Sequence, residues 1–365
     1  MNLFFNLKNM HKHIFKVWIV FIIMIFGCST AQNDDGILSI EIPKNVSTDI
    51  SLSELSDSIV VIPLETHPQA LITSIKDILL LDDYLILSTI DSRVLIFDHE
   101  GNFVQPLGTK GDGPGEYKYA TTLSMDQNSG KIYVISMRKI LVFSRDFEFL
   151  EEKNLNLFIE YLKVIEDDFY AVNQEYGNVV EAGVANETYL YKLSESLEIV
   201  DTLPMRKVVM EKLTASRLGY SDYISKIGND VFIYTPVTTN ESYLRDTLYL
   251  LEGKSLTPFA KLNFPKPHID DRGFKAYYIA NMVHSNAYIS SHYYQGKSEI
   301  HMMLHRKSDG KTLNVKGGFL DEVGEIVMLR SLIPERDLFY YVKTGQFMEN
   351  GKEEANPVIG ILRLK

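Results

Sequence analysis

Residues 91–117 read DSRVLIFDHEGNFVQPLGTKGDGPGEY. An apolar run at 94–98 is followed by a turn on Glu100, Gly101 and Asn102, a second strand-like run over 103–108, and a glycine-rich loop. A short Gly/Asn turn between two runs rich in β-branched and aromatic residues specifies an antiparallel hairpin. The first strand of this hairpin recurs along the chain as VLIFD, ILVFS, YLYKLS, TLYLLE, IHMMLHR and VIGILRL, starting at 94, 140, 189, 247, 300 and 358. The first five copies each run through a turn (HEGN, RDFE, SESLE, EGKS, KSDGK) into a partner strand. Upstream of each hairpin lie two more strand-like runs, at 74–82 and 84–90 in the first unit and at 121–126 and 131–136 in the second. Four antiparallel strands repeating every ~40 to 50 residues is the blade pattern of a β-propeller. The expected fold is therefore all-β, a six-bladed β-propeller.

The sixth unit is one strand short, because the chain stops at Lys365 just after VIGILRL. An open sheet edge there would invite aggregation. The run SIVVIPLE at 58–65 is apolar and has no hairpin partner of its own, so it is expected to complete the last blade and close the ring. Residues 37–43 (ILSIEIP) are expected to form an extra strand or packed arm. No linker rich in Pro, Gly or Ser divides the body, and six similar units are too many for one sandwich.

The N-terminus carries Lys8, Lys12 and Lys16, then an apolar run at 17–26 (VWIVFIIMIF). Ten apolar residues fall short of the about 20 that span a bilayer, and the pattern is that of a secretory signal. Ile25-Phe26-Gly27-Cys28 resembles the lipobox of bacterial lipoproteins, in which the cysteine is lipidated and becomes the mature N-terminus. Cys28 is the sole cysteine, so no intrachain disulfide can form. The expected division is a signal peptide at 1–27, a lipid-anchored tether and N-terminal arm at 28–57, and the propeller at 58–365. Met10 is a second candidate start, leaving a more usual signal length. The expected address is the cell envelope, as an outer-membrane lipoprotein facing the periplasm or the surface. Loss of the three signal lysines takes the formal charge from −11 to −14, which disfavours nucleic acid as a partner.

The stretch 102–150, with its Gly-Glu-Tyr crossing, Gly-x-Ile-Tyr-Val hairpin and Arg-x-Ile-x-Val-Phe strand, resembles an NHL-type blade junction. IPLETHPQALITSIKDILLLDDYLIL, the strand beginning Arg245-Asp246-Thr247-Leu248-Tyr249 and the ending NPVIGILRLK are similar to a group of six-bladed β-propeller lipoproteins of uncharacterised function. The resemblance spans about 58–365 and implies architecture and export rather than an activity. Blades 3 to 5 depart from it, being longer and lacking the glycine-rich crossing.

No catalytic constellation is legible. Gly111-Asp112-Gly113-Pro114-Gly115 lacks the Gly-Lys-Ser/Thr of a phosphate loop and opens a strand rather than a helix. Asp126, Asn128 and Gly130 are spaced like a calcium loop, but Met137 stands at its twelfth position. Asp91 and Asp246 are expected to accept backbone hydrogen bonds in turns. His284, His292, His301 and His305 fall in one blade without a metal-ligand motif. No metal or cofactor is expected. In a propeller the loops between the second and third strands of each blade and the crossings between blades share one side. Arg93, Arg138, Arg245, Arg272, Lys297, Tyr117, Tyr176 and Tyr294 fall on that loop side and are the candidate ligand-binding residues, since Arg and Tyr anchor partners at low entropic cost. Trp stacking is discounted, because Trp18 lies in the signal. The expected function is a membrane-anchored binding module, held by a lipid on Cys28, for a protein or small ligand. The alternatives are a metal-dependent hydrolase or lyase at the mouth of the central channel and a passive envelope component.

Overall fold

The computed structural model describes residues 36–213, 222–237, 244–269, 271, 273, 275–296, 298–348, 351 and 353–365. The signal segment, Cys28, Arg272 and Lys297 lie outside the described residues. What is described is all-β apart from a one-turn helix at Leu52–Leu55 and a 3-10 turn at Pro334–Arg336. Among these residues no helix is long and apolar enough to cross a membrane.

Six four-stranded antiparallel units follow one another along the chain. Sheet 1 holds Ile75–Leu81, Tyr84–Thr89, Val94–Asp98 and Phe103–Pro106; sheet 2 holds Thr122–Met125, Ile132–Ser136, Lys139–Phe143 and Phe149–Asn154. Sheet 3 is built from Tyr161–Ile165, Asp168–Val180, Gly183–Leu193 and Ile199–Met210. Sheet 4 comprises Ile224–Ile227, Asp230–Ile233, Thr247–Glu252 and Ser255–Asn263, and sheet 5 Tyr277–His284, Tyr288–Gln295, Glu299–Arg306 and Thr312–Lys316. Sheet 6 takes Arg330–Ile333, Leu338–Lys343 and Val358–Leu364 from the C-terminal end, and its fourth strand, Ser56–Pro63, from the other end of the sequence. That last pairing is antiparallel, with Val61 opposite Gly360 and Ile62 opposite Ile359.

Period-two side-chain alternation sends neighbouring residues of one strand to opposite faces. Leu85 and Leu87 pack against Tyr340 and Ile359 of sheet 6, while Ile86 between them packs against Val134 and Leu141 of sheet 2. The same sharing joins Ile135 and Ile140 to Leu162 and Val164, and Val172 and Leu190 to Ile224 and Ile233. It joins Phe232 and Leu248 to Met282 and Ile289, and Met302 and Leu304 to Phe339 and Leu362. Every apolar cluster thus belongs to two consecutive sheets, and sheets 6 and 1 share one as well.

The first strand of each sheet lies inward and the last outward. Ser124 Oγ accepts from Val164 N at 2.8 Å, and Ser225 Oγ from His284 N at 3.3 Å, linking first strands of adjacent sheets. Last strands such as Phe103–Pro106 and Phe149–Asn154 are largely exposed.

The N-terminal arm covers edges that the sheets would otherwise leave open. Leu38–Glu41 adds a parallel fifth strand to sheet 4 along Ala260–Asn263. The chain then bridges Val315 at Ser47 and Leu320 at Ser51, and Asn314 Nδ2 donates to the Pro43 carbonyl at 3.0 Å. Capping by Ser51 starts the short helix, whose Leu52 is fully buried. The closing strand begins at Ser56 rather than 58 and ends at Pro63 rather than 65, because Ser56 Oγ donates back to the Leu52 carbonyl and turns the chain directly from helix to strand. Sheet 3 also departs from expectation. Its second to fourth strands run on past the first into a three-stranded arm ending at 180–183 and Met210. The polar sequence NQEYGNVVEAGVANET at 173–188 hides that arm from a search for apolar runs.

Candidate functional site

Two groups of polar side chains gather on the loop side. The first lies at the axis, on the opening residues of the inward strands. Tyr161 donates its hydroxyl to Asp222 Oδ1 at 2.6 Å, and its ring centroid lies 5.1 Å from that of Tyr223. Lys76 Nζ bonds the Thr121 carbonyl. Arg330 reaches the Ile75 carbonyl at 3.5 Å, linking sheets 6 and 1. Asp77 lies 3.4 Å from Leu123 N. It feels Asp222 of sheet 4, Lys163 of sheet 3 and its neighbour Lys76. Sheets 1 and 4 are three steps apart in the sequence of sheets, so charges on both that act on each other face a shared central space.

Burial first, and then the charge of Asp222, hold the Asp77 carboxyl above the usual carboxylate range, against the opposing pull of Lys76, Leu123 N–H and Lys163. A carboxyl whose folded-state pKa is raised stabilises the fold below its unfolded value, and that contribution is lost as pH rises through the folded value. At neutral pH the ionised group is therefore a cost. Asp77→Asn is expected to raise the melting temperature at pH 7, with the gain disappearing below about pH 4. A variant that melts lower than the parent at pH 7 would contradict this.

The second group lines a small crevice between sheets 4 and 5 that opens to solvent. Its walls are the rings of Tyr234, Tyr277 and Tyr278 with Ile279, and its polar rim carries Arg245 and Lys275. The Tyr234 hydroxyl sits 3.1 Å from the carbonyls of both Arg245 and Ile279, and burial pushes its pKa up. Arg245 Nη1 donates to the Thr235 carbonyl at 3.2 Å and also bonds Thr235 Oγ1. Burial, and then the nearby guanidinium of Arg206, push the Lys275 ammonium down to about 8. Arg206 arrives from the arm of sheet 3, opposite Thr188.

The family described as a domain of unknown function, DUF4934, matches residues 37–363. The chain belongs to that family. No curated protein matches the DUF4934 chain. Among solved structures, a Bacteroides fragilis NCTC 9343 protein described as exported is similar over 90% of this chain and 99% of its own, at 20% identity and a TM-score of 0.67. A gluconolactonase of Xanthomonas campestris covers 88% of this chain and 96% of its own, at 10% identity and a TM-score of 0.47. The β-propeller domain of Cps50 (Swd1) from Myceliophteria thermophila covers 84% and 100%, at 12% identity and a TM-score of 0.42. The DUF4934 chain is an all-β protein over its described residues.

The residues named from sequence divide by environment. Arg245 lines the crevice, and Tyr294 stands beside it with its ring centroid 6.0 Å from that of Tyr278. Arg138 is exposed at its turn, and Tyr176 stands on the sheet 3 arm with its hydroxyl on Gln174. Arg93 is occupied structurally: Nε pairs with Asp91 Oδ2 at 2.7 Å, and the guanidinium bonds the carbonyls of Gln69 and Leu71. Tyr117 is inside the core at 2% exposure, its hydroxyl donating to the Leu107 carbonyl at 2.9 Å and accepting from Val94 N at 3.0 Å. It staples the crossing from sheet 1 to sheet 2 and offers no surface to a ligand. Asp91 takes side-chain donors, Thr89 Oγ1 and Arg93 Nε, rather than the backbone of its turn. Asp246 likewise takes Thr247 Oγ1 at 2.9 Å.

The glycine-rich loop is filled by its own carboxylate, since Glu116 Oε2 accepts from Gly113 N at 2.8 Å. Asp126 accepts from Asn128 N at 2.9 Å within a hairpin turn. The four histidines of sheet 5 do not converge: they bond separately to Lys307, the Leu329 carbonyl, Glu299 and Thr312. Among the described residues no group of three or more His, Cys, Asp or Glu could hold a metal ion. Missed from sequence were Asp77, Asp222 and Lys275. The first had a signal, a Lys-Asp pair interrupting the apolar run of an inward strand.

Proposed function

We propose that this DUF4934 chain is a closed six-bladed β-propeller, exported and held to the outer membrane by a lipid on Cys28, that binds a protein or small ligand on its loop side. Closure is supported by the cyclic sharing of apolar clusters and by the Ser56–Pro63 strand on Val358–Leu364. Export is supported by the signal-like N-terminus and the lipobox-like sequence before Cys28.

The observation that carries the binding role is where large apolar side chains meet water. Ile90, Tyr119, Met137, Val179, Val323 and Phe347 are exposed at loop-side tips, at 68%, 54%, 44%, 89%, 74% and 66%. The opposite side contributes Tyr84, Phe149 and Ile199 among the described residues, at only 36%, 39% and 44%. Apolar surface concentrated on one side marks an interaction surface. Photo-crosslinking residues placed at 90 and 347, and at 84 and 198 as the opposite side, test this in cells. Discrete adducts are expected from the first pair, and adducts from the second pair alone would refute the assignment.

Lipidation is tested separately. Cys28→Ser is expected to move the protein from the membrane to the soluble fraction and to abolish fatty-acid labelling. An unchanged membrane fraction would argue against the anchor.

A further inference from the structure

We propose that the crevice between sheets 4 and 5 is an oxyanion subsite, where Lys275, Arg245 and Arg206 receive a carboxylate or phosphate group of the loop-side ligand. The proposal rests on the loop side being the binding side. The whole chain carries a formal charge of −11, yet among the described residues this crevice is lined by two cations and no carboxylate. Among the described residues the Lys275 ammonium has neither an ion pair nor a side-chain hydrogen bond, although the residue is partly buried. A cation held away from water, beside a second cation, is costly unless an anion joins it.

A third cation is brought in by an extended element. Arg206 stands on the outer strand of sheet 3, on the part that runs beyond that sheet's inward strand, and it acts on Lys275 of sheet 5. The arm thus carries a third positive charge to a crevice that belongs to other sheets. Tyrosine rings supply apolar walls, and the crevice is open to solvent, so an oxyanion group can approach its cationic side chains from outside. Guanidinium and ammonium groups around such a space favour oxyanions over neutral ligands.

Calorimetric titration of the purified protein with inorganic phosphate, and separately with succinate, against sodium chloride of equal ionic strength is the test. At least one oxyanion is expected to bind and to raise the melting temperature. Lys275→Met is expected to weaken that binding about tenfold or more, the order for one charge-assisted contact. Without ligand the variant is expected to melt no lower than the parent, because a desolvated and repelled charge has gone; this separates lost binding from lost folding. Binding of phosphate alone or of succinate alone supports the site and identifies the group it takes.

Succinate keeps its charge above pH 7, so its affinity should fall as pH rises through about 8, where Lys275 loses its proton. Among the described residues, the other titratable groups at the crevice are Arg245 and the phenols of Tyr234, Tyr277 and Tyr278, with Arg206 acting from the arm and Asp246 acting on Tyr234. Both arginines stay charged, and burial raises the pKa of Tyr234 and of Tyr277. Equal binding by parent and Lys275→Met, or no binding above the chloride control, would overturn the subsite. Loop-side crosslinks that persist in that case would leave the binding role intact.

Discussion

Asn356→Ala is expected to destabilise the protein by about 3–5 kcal/mol, on the scale of about 1–3 kcal/mol for each buried polar group left without a partner. Asn356 is 4% exposed, and its side chain makes three hydrogen bonds, all to a segment nearly 300 residues away. Nδ2 donates to the carbonyls of Glu65 and Ala70, both at 2.7 Å, and Oδ1 accepts from Ile72 N at 2.8 Å. Its own backbone N–H donates to Thr66 Oγ1 at 2.9 Å. One amide therefore clamps the crossing that leads from the closing strand into sheet 1. Removing it strands the Ala70 carbonyl and the Ile72 N–H in a place that water does not reach easily, and leaves the Glu65 carbonyl only its bond from His67 N. Urea denaturation would measure the loss, and a change under about 1 kcal/mol would mean that the clamp is redundant.

Ile62→Asp should have the larger effect. Ile62 is 5% exposed on the closing strand and packs in the cluster that joins sheets 6 and 1, with Tyr340 and Ile359 among its neighbours. A carboxylate there loses the transfer free energy of the side chain and carries an unpaired charge into the core, a combined cost of about 5 kcal/mol or more. That is comparable to the whole stability of many domains, so the expected outcome is a chain that fails to fold cooperatively. Val60→Asp, two residues away and 56% exposed, is expected to cost within about 0.5 kcal/mol. Equal effects of the two substitutions in thermal melts would show that the strand is not pinned by its buried face.

Both predictions concern the seam, and the seam was legible before any coordinates. An apolar run without a hairpin partner at one end, and a unit one strand short at the other, point to each other because unpaired edges are avoided. The repeated VLIFD-like strands were equally legible, since alternating apolar residues must serve two neighbouring clusters at once. The arm of sheet 3 was not, because most of the residues it buries, Asn173, Gln174, Asn186 and Thr188 among them, are polar and leave no apolar pattern. Asn356 was not singled out either. A buried amide that bonds a distant backbone looks, in sequence, like any loop asparagine.

The candidate site divides in the same way. Arg245 and Tyr294 could be found because Arg and Tyr on loops are conspicuous, and the crevice brings them near each other through Tyr278. Arg93 and Tyr117 were equally conspicuous but are held by the fold's own carbonyls. Residue type and position on a loop do not reveal whether a polar group's bonding capacity is already taken. Lys275 shows the reverse. Its environment depends on Arg206, 69 positions earlier, arriving on an arm that the sequence pattern conceals.

Closure of the ring is tested most directly by joining its two ends. Val60 and Ile361 face each other across the closing pair. Directly opposed antiparallel residues lie about 4.5–5.5 Å apart at Cα, within reach of a disulfide. In a Cys28→Ser background, cysteines introduced at 60 and 361 are expected to oxidise within one chain. The product should run anomalously on a non-reducing gel, revert with reductant, and melt higher than its reduced form. Intermolecular dimers, or thiols that stay free under mild oxidant in the folded protein, would show that the two ends do not meet.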